Sequence, residues 1–197
     1  MKIMLKTFEI FSSAFKEKRV LTLSPEGKEI SFLFQIKDLT EEKITIPNVF
    51  PLTLAKEMSE VESFSISFRE YIFNHIILEP YGINLRFNFP SEILQIEERK
   101  EQRDYLKPEE DMIVEIQHPY DKKTILRREV IDVSLQGLSF RSPTISALMQ
   151  PGRIFSSVQV FRRGERVATY QGQVMYYRKM VDFKGQFYQI GLMLKEA

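Results

Sequence analysis

The sequence predicts an all-β chain made of two small β domains, each of barrel or sandwich type. Three observations carry that prediction. Short runs rich in β-branched and aromatic residues recur from end to end. Gly, Pro and charged turns separate them. One charged stretch, Pro90 to Lys107, divides the chain into halves of similar character.

Composition sets the limits. A chain of 197 residues is one large domain or two small ones. With 43% apolar residues, 16 Phe and 8 Tyr, it can fill a core and is not disordered. A net charge of +1 argues against a non-specific nucleic-acid binder, which needs surplus cations against the phosphate backbone. Cysteine is absent, so disulfides, thiolate catalysis and thiolate metal sites are excluded, in agreement with a reducing compartment; a cytoplasmic location is expected. Met1-Lys2-Ile3-Met4-Leu5-Lys6 has the basic start of a leader, but Lys6 and Glu9 interrupt the apolar stretch and no small-residue cleavage site follows. No run approaches the roughly 18 apolar residues of a membrane span, so no integral membrane segment is expected.

In the first half, strands are predicted at Arg19 to Ser24, Ile30 to Lys37 and Lys43 to Pro47, with Pro25-Glu26-Gly27 as a turn. Thr53 to Met58 fits one brief helical turn. In Ser63 to Arg69, Phe64, Ile66 and Phe68 alternate with serines, a period of two that marks a strand with one buried face. Ile72 to Leu78 and Ile83 to Phe89 are further strands. Pro90 to Lys107 is charged, poor in apolar residues and without Gly, and is read as the joint.

Beyond the joint, strands are predicted at Met112 to Gln117, Leu126 to Val133, Leu138 to Arg141, Ile154 to Phe161, Arg166 to Arg178 and Phe187 to Leu194. Pro151-Gly152, Arg163-Gly164 and Lys184-Gly185 punctuate them, and Ser142 to Met149 has room for a helical turn. No long helix is evident there, which excludes a doubly wound nucleotide-binding fold.

Two groups of residues carry binding chemistry. Arg99 and Arg103 stand four apart. If the joint is helical they project from one face, with Lys107 one turn later; if it is extended they can still reach around a compact ligand. Guanidinium forks pair with phosphate oxygens or with guanine O6 and N7. The second group is Asp132-Val133-Ser134-Leu135-Gln136-Gly137. Alternation predicts Ile131 and Val133 toward the core and Asp132 and Ser134 at the surface. A carboxylate accepts from the N–H edge of guanine, a serine can donate or accept, and Gly137 permits a tight turn or close approach.

Arg99-x-x-x-Arg103, Asp132-x-Ser134-x-x-Gly137 and the distance between them resemble the PilZ family of cyclic di-GMP receptors. The resemblance runs from Glu97 to Leu194 and includes Pro151-Gly152, Gly172-Gln173-Val174 and Ile190-Gly191-Leu192. The order of strands leading into Phe89-Pro90 and Ile96 is similar to the companion barrel of flagellar-brake-type members. The resemblance implies two small β-barrels, the C-terminal one a six-stranded antiparallel PilZ barrel. It divides the chain into an N-terminal domain at 1–95, an arginine-bearing hinge at 96–107 and the PilZ barrel at 108–197.

It also implies cyclic di-GMP as ligand, often as an intercalated dimer. Arg99 and Arg103 would grip phosphates and guanines, Asp132 and Ser134 would contact a guanine, and Gly137 would shape the turn. A second register, Arg103-Asp104-Tyr105-Leu106-Lys107, puts Lys107 in the place of the second arginine. The sequence departs from the family at Glu98, where a further basic residue is common. Binding would close the joint and reorient the domains, controlling a protein partner such as flagellar or secretion machinery, with a link to motility.

Two other readings follow from the same residues. One is a ligand-independent PilZ adaptor. The other is a single-stranded nucleic-acid-binding barrel, suggested by the Tyr170, Tyr176 and Tyr177 cluster beside the added charge of Arg127, Arg128, Arg162, Arg163 and Arg166; the charge balance disfavours nucleic acid as a partner. Catalysis is not expected. His75 and His118 are the only histidines and have no metal-ligand spacing around them, and Ser134 has no nucleophile elbow.

Overall fold

A computed structural model describes residues 2–95, 104–106, 110–118, 120–121 and 123–196. The chain opens with helix α1 (Lys2–Lys16), then runs through β1 (Leu21–Pro25), β2 (Ile30–Phe34), β3 (Asp38–Leu39) and β4 (Lys43–Pro47). A 3-10 turn at Leu52–Leu54 leads into the short helix α2 (Ala55–Ser59). Strands β5 (Phe64–Phe68), β6 (Tyr71–Ile76), β7 (Glu79–Tyr81), β8 (Asn84–Asn88) and β9 (Leu94–Gln95) complete this half. The second half contains β10 (Asp104–Tyr105), β11 (Met112–Gln117), β12 (Ile125–Ser134), β13 (Gly137–Ser142), a 3-10 turn at Ala147–Met149, β14 (Ile154–Arg162), β15 (Glu165–Asp182) and β16 (Gly185–Glu196).

The N-terminal stretch that the sequence leaves without an element folds as a helix. Thr7, Phe11 and Ala14 are buried, and their spacing of four and three places them on one helical face. The Phe11 ring lies 4.7 Å from that of Phe73 and 6.1 Å from that of Phe87. Such aromatic pairs add about 1 kcal/mol each beyond the area they bury. In β5 the expected alternation holds: Phe64, Ile66 and Phe68 are buried and the serines between them are half-buried.

The chain divides into two compact units, Met1–Lys100 with Met180–Gly185, and Glu101–Lys179 with Gln186–Ala197. The first has a core built on Phe11, Leu23, Phe32, Ile46, Ile66 and Phe73, and Val181 belongs to it. The second has its own core of Val114, Ile116, Phe140, Phe155, Val174 and Ile190.

The barrel expectation is corrected by the sheet topology. The described strands form two sheets, one of twelve strands and one of four. The four-stranded sheet runs β3-β4-β8-β7, and the larger one runs β14-β11-β12-β13-β16-β15-β2-β1-β5-β6-β9, with β10 beside β12. An added β14–β15 pairing links the strands of the second unit in a ring, but that ring is not evenly disposed about an axis and is not a true barrel. Strand length is the physical reason. Regular closure needs matched strands and a constant stagger, whereas β15 has 18 residues, β16 has 12 and β11 only 6. Register shifts in β12–β13 and β14–β15 add local irregularity.

A surface contact in the first unit supplies a pH test. Glu26 accepts from Ser63 Oγ at 2.7 Å and from the His75 backbone N–H at 3.3 Å, and His75 holds a left-handed φ of 56°. These hydrogen bonds, Ser63 first, hold the Glu26 carboxyl below its usual value. A lowered folded-state pKa means that the contact is complete above the ordinary carboxylate range and is lost as pH falls through the lowered value. Carboxyl-detected NMR titration should therefore show Glu26 among the late-protonating glutamates on acidification, and Ser63→Ala should return it toward the ordinary range.

Candidate functional site

The Asp132-x-Ser134-x-x-Gly137 pattern forms the end of the β12–β13 hairpin. Leu135 and Gln136 make the two-residue connection, and the register runs Ser134↔Gly137, Val133↔Leu138 and Asp132↔Ser139. On the far side β13 pairs with β16, so that Gly137 lies opposite Met193, Ser139 opposite Gly191 and Arg141 opposite Gln189. Residues directly opposite one another in antiparallel strands share a face of the sheet. Leu138, Phe140, Ile190 and Leu192 face the core. Asp132, Ser139, Arg141 and Gln189 therefore share the other face.

Gly137 is required by close approach. Its φ lies outside the left-handed region, and an added Cβ would come within 2.1 Å of the Leu192 carbonyl oxygen. The turn itself does not demand glycine; the backbone of β16 does. Gly191 is confined in the same way, since a Cβ there would meet the Tyr176 ring at 2.1 Å. Ser134 is half-buried, and its hydroxyl points to the Gly137 carbonyl at 3.4 Å.

Asp132 differs from its sequence expectation. It is 3% exposed, where alternation puts it at the surface. Asp132 keeps the face opposite Val133 that alternation gives it, but Ser139 and Gln189 cover that face here, and these polar neighbours make the burial tenable. Ser139 Oγ donates to Asp132 Oδ2 at 2.6 Å. Gln189 Nε2 donates to the same oxygen at 2.5 Å and to Ser139 Oγ at 2.7 Å. The carboxylate fixes the orientation of the amide, because only the NH2 end can face an acceptor. That orientation leaves Gln189 Oε1 buried without a partner, a state that costs about 1–3 kcal/mol.

Strand β10 runs antiparallel beside this hairpin. Asp104 pairs with Val133 and Tyr105 with Asp132, and the Leu106 N–H donates to the Ile131 carbonyl at 2.9 Å. Leu106 also packs against the second core. In the sequence β10 begins immediately after Arg103. Arg99, Arg103 and Lys107 themselves lie outside the described residues.

Around the site, Arg141 stacks over the Phe187 ring at 3.7 Å, with its Nε 3.6 Å from Glu129. Tyr170 packs against the second core, Arg127 Nε lies 3.8 Å from Glu115 and Arg162 Nη2 lies 3.4 Å from Glu110. Among the described residues, no group of three or more His, Asp or Glu could hold a metal ion, and no helix is long and apolar enough to cross a membrane. Sequence reasoning missed Ser139 and Gln189. The two-residue turn contains the signal for Ser139, since it puts that residue opposite Asp132. Gln189 lies 57 positions from Asp132, and no local pattern points to it.

No protein-family model matches the sequence, and neither does any curated protein. Solved structures do match the fold. The complex of MrkH from K. pneumonia with c-di-GMP aligns with a TM-score of 0.70 at 14% identity, over 98% of this chain and 86% of that one. A second structure of MrkH, described as a c-di-GMP-dependent transcription regulatory factor, aligns with a TM-score of 0.63 at 13% identity, over 98% and 83%. YcgR from Escherichia coli in complex with c-di-GMP aligns with a TM-score of 0.52 at 14% identity, over 98% and 82%. At these identities the shared property is the fold, which is PilZ-like and resembles that of the flagellar-brake-type proteins.

Proposed function

Proceeding from that PilZ-like fold, we propose that this protein is a cyclic di-GMP receptor rather than an enzyme. Arg99 and Arg103, in a hinge at 96–107 between an N-terminal domain at 1–95 and a PilZ domain at 108–197, engage the phosphates and guanines. Asp132 and Ser134 read a guanine edge beside Gly137. One observation chiefly supports this reading: β10, which follows Arg103 directly in the sequence, pairs with the strand that carries Asp132. The segment that follows the basic motif and the strand that carries the Asp-Ser motif are therefore sheet neighbours. The likeness to MrkH and YcgR, each solved in complex with c-di-GMP, adds support.

Asp132 is buried in this structure, so contact with a base edge requires local opening. That requirement turns binding into a signal, because a ligand that favours the opened arrangement shifts the population toward it. The rearranged hinge then alters the surface offered to a protein partner, with motility machinery as the leading class. A second reading is favoured by the same burial. If Asp132 serves only to hold β12, β13 and β16 together, the protein is a ligand-independent adaptor.

Calorimetric titration with cyclic di-GMP separates the two. The receptor predicts saturable heat, a stoichiometry of one or two ligands per chain, and no comparable signal with cyclic di-AMP. Absence of heat, together with absence of competition against a fluorescent cyclic di-GMP, would remove the receptor reading and leave the adaptor.

A further inference from the structure

We infer that Gln189 is a positioning residue for guanine recognition, holding the Asp132 carboxylate through paired hydrogen bonds from its side-chain amide. The inference rests on the receptor reading and goes beyond it, since neither sequence motif includes Gln189. Both amide hydrogens are committed to the Asp132–Ser139 pair, one to Asp132 Oδ2 at 2.5 Å and one to Ser139 Oγ at 2.7 Å. Ser139 donates to the same carboxylate oxygen at 2.6 Å. Three side chains from three strands thus close a small ring, in which two donors, Ser139 Oγ and Gln189 Nε2, converge on Asp132 Oδ2. Gln189 is fully buried and comes from β16, the strand on the far side of β13.

A carboxylate reads guanine by accepting from N1–H and the 2-amino group together, which requires a fixed plane and both oxygens in defined places. The donors on Oδ2 set that plane. The Gln189 carbonyl, buried without a partner, sharpens the point. An apolar residue of similar volume would avoid the unmet acceptor, so the amide at this position is explained by what its NH2 group holds and not by packing.

The test compares cyclic di-GMP with its inosine counterpart, which keeps N1–H and lacks the 2-amino group. Wild-type protein should prefer the guanine ligand. Gln189→Leu keeps volume and removes both donors; it should lower cyclic di-GMP affinity about tenfold and bring the two ligands closer in affinity. Gln189→Glu sets an acceptor against the carboxylate and should lower affinity further. A purely structural role would lower the melting temperature and leave the ratio between the ligands unchanged. A folded Gln189→Leu protein with the wild-type ratio overturns the inference while the receptor reading stands. If that variant does not fold, Ser139→Ala decides: it removes the other donor to Oδ2, and an unchanged ratio there also overturns the inference. A wild-type protein that binds neither ligand overturns the receptor reading, and this inference with it.

Discussion

Arg103→Ala is expected to weaken cyclic di-GMP binding by about two to three orders of magnitude, the loss typical of truncating one partner of a charged, hydrogen-bonded pair. Arg103 belongs to both registers of the basic motif, as the second arginine of Arg99-x-x-x-Arg103 and as the first residue of Arg103-Asp104-Tyr105-Leu106-Lys107. Its loss removes a planar fork that can hold two phosphate oxygens or the O6 and N7 of one guanine, and no other cation replaces that geometry. Arg99→Ala and Lys107→Ala then tell the registers apart. In the first register Arg99→Ala approaches the effect of Arg103→Ala and Lys107→Ala costs little; in the second the order reverses. Calorimetry on the three variants gives the answer, and an Arg103→Ala protein with wild-type affinity would refute the proposed site in either register.

The second large effect is structural. Gly137→Ala should destabilise the second unit by about 3 kcal/mol. The added methyl group would stand 2.1 Å from the Leu192 carbonyl oxygen, 3.2 Å from its carbonyl carbon and 3.4 Å from Met193 Cα. All three are backbone atoms of a strand paired on both sides, so no side chain can turn away to make room. Relief requires β13 to move off β16, which breaks the Gly137↔Met193 and Leu138↔Leu192 pairing. In a protein of this size that corresponds to a fall in melting temperature of roughly 6–12 °C. A variant melting within 2 °C of wild type would show that the strands can separate at little cost. Ligand affinity should fall in parallel, because the same movement displaces Ser134.

The sequence made some of these features readable and hid others, each for a physical reason. Ser63 to Arg69 announces its buried face because Phe64, Ile66 and Phe68 alternate with serines. Asp132 to Gly137 could be placed at a hairpin end because a two-residue connection leaves little freedom in register. The strands β3, β7, β9 and β10 have only two or three residues each, too few to display a period. Helix α1 was hidden by its own composition: a basic, apolar start resembles a leader, and its helical character lies in the spacing of Thr7, Phe11 and Ala14. The missing barrel regularity depends on relative strand lengths, and turn signals fix strand ends only loosely. Arg166 to Arg178 was recognisable as a strand, but its continuation to Asp182 was not.

That burial of Asp132 escaped the sequence has the same origin. Strict alternation gives its face correctly, but not that Ser139 and Gln189 cover that face. Ser139 was accessible through the hairpin register, whereas Gln189 depends on which distant strand lies beside β13. Nearest-neighbour relations between strands far apart in the chain are tertiary information, and a single sequence carries little of it.

The residues Met180–Gly185 belong to the first unit, and Val181 is 1% exposed within its core. On the ribosome, where synthesis runs at about 5–20 residues per second, the first hundred residues emerge long before that segment exists. The N-terminal unit must therefore wait, with a gap in its interior, until the segment at 180–185 has been made. A product that stops short of Val181 would lack interior residues of both units, Val181 from one and Ile190 from the other, and could finish neither.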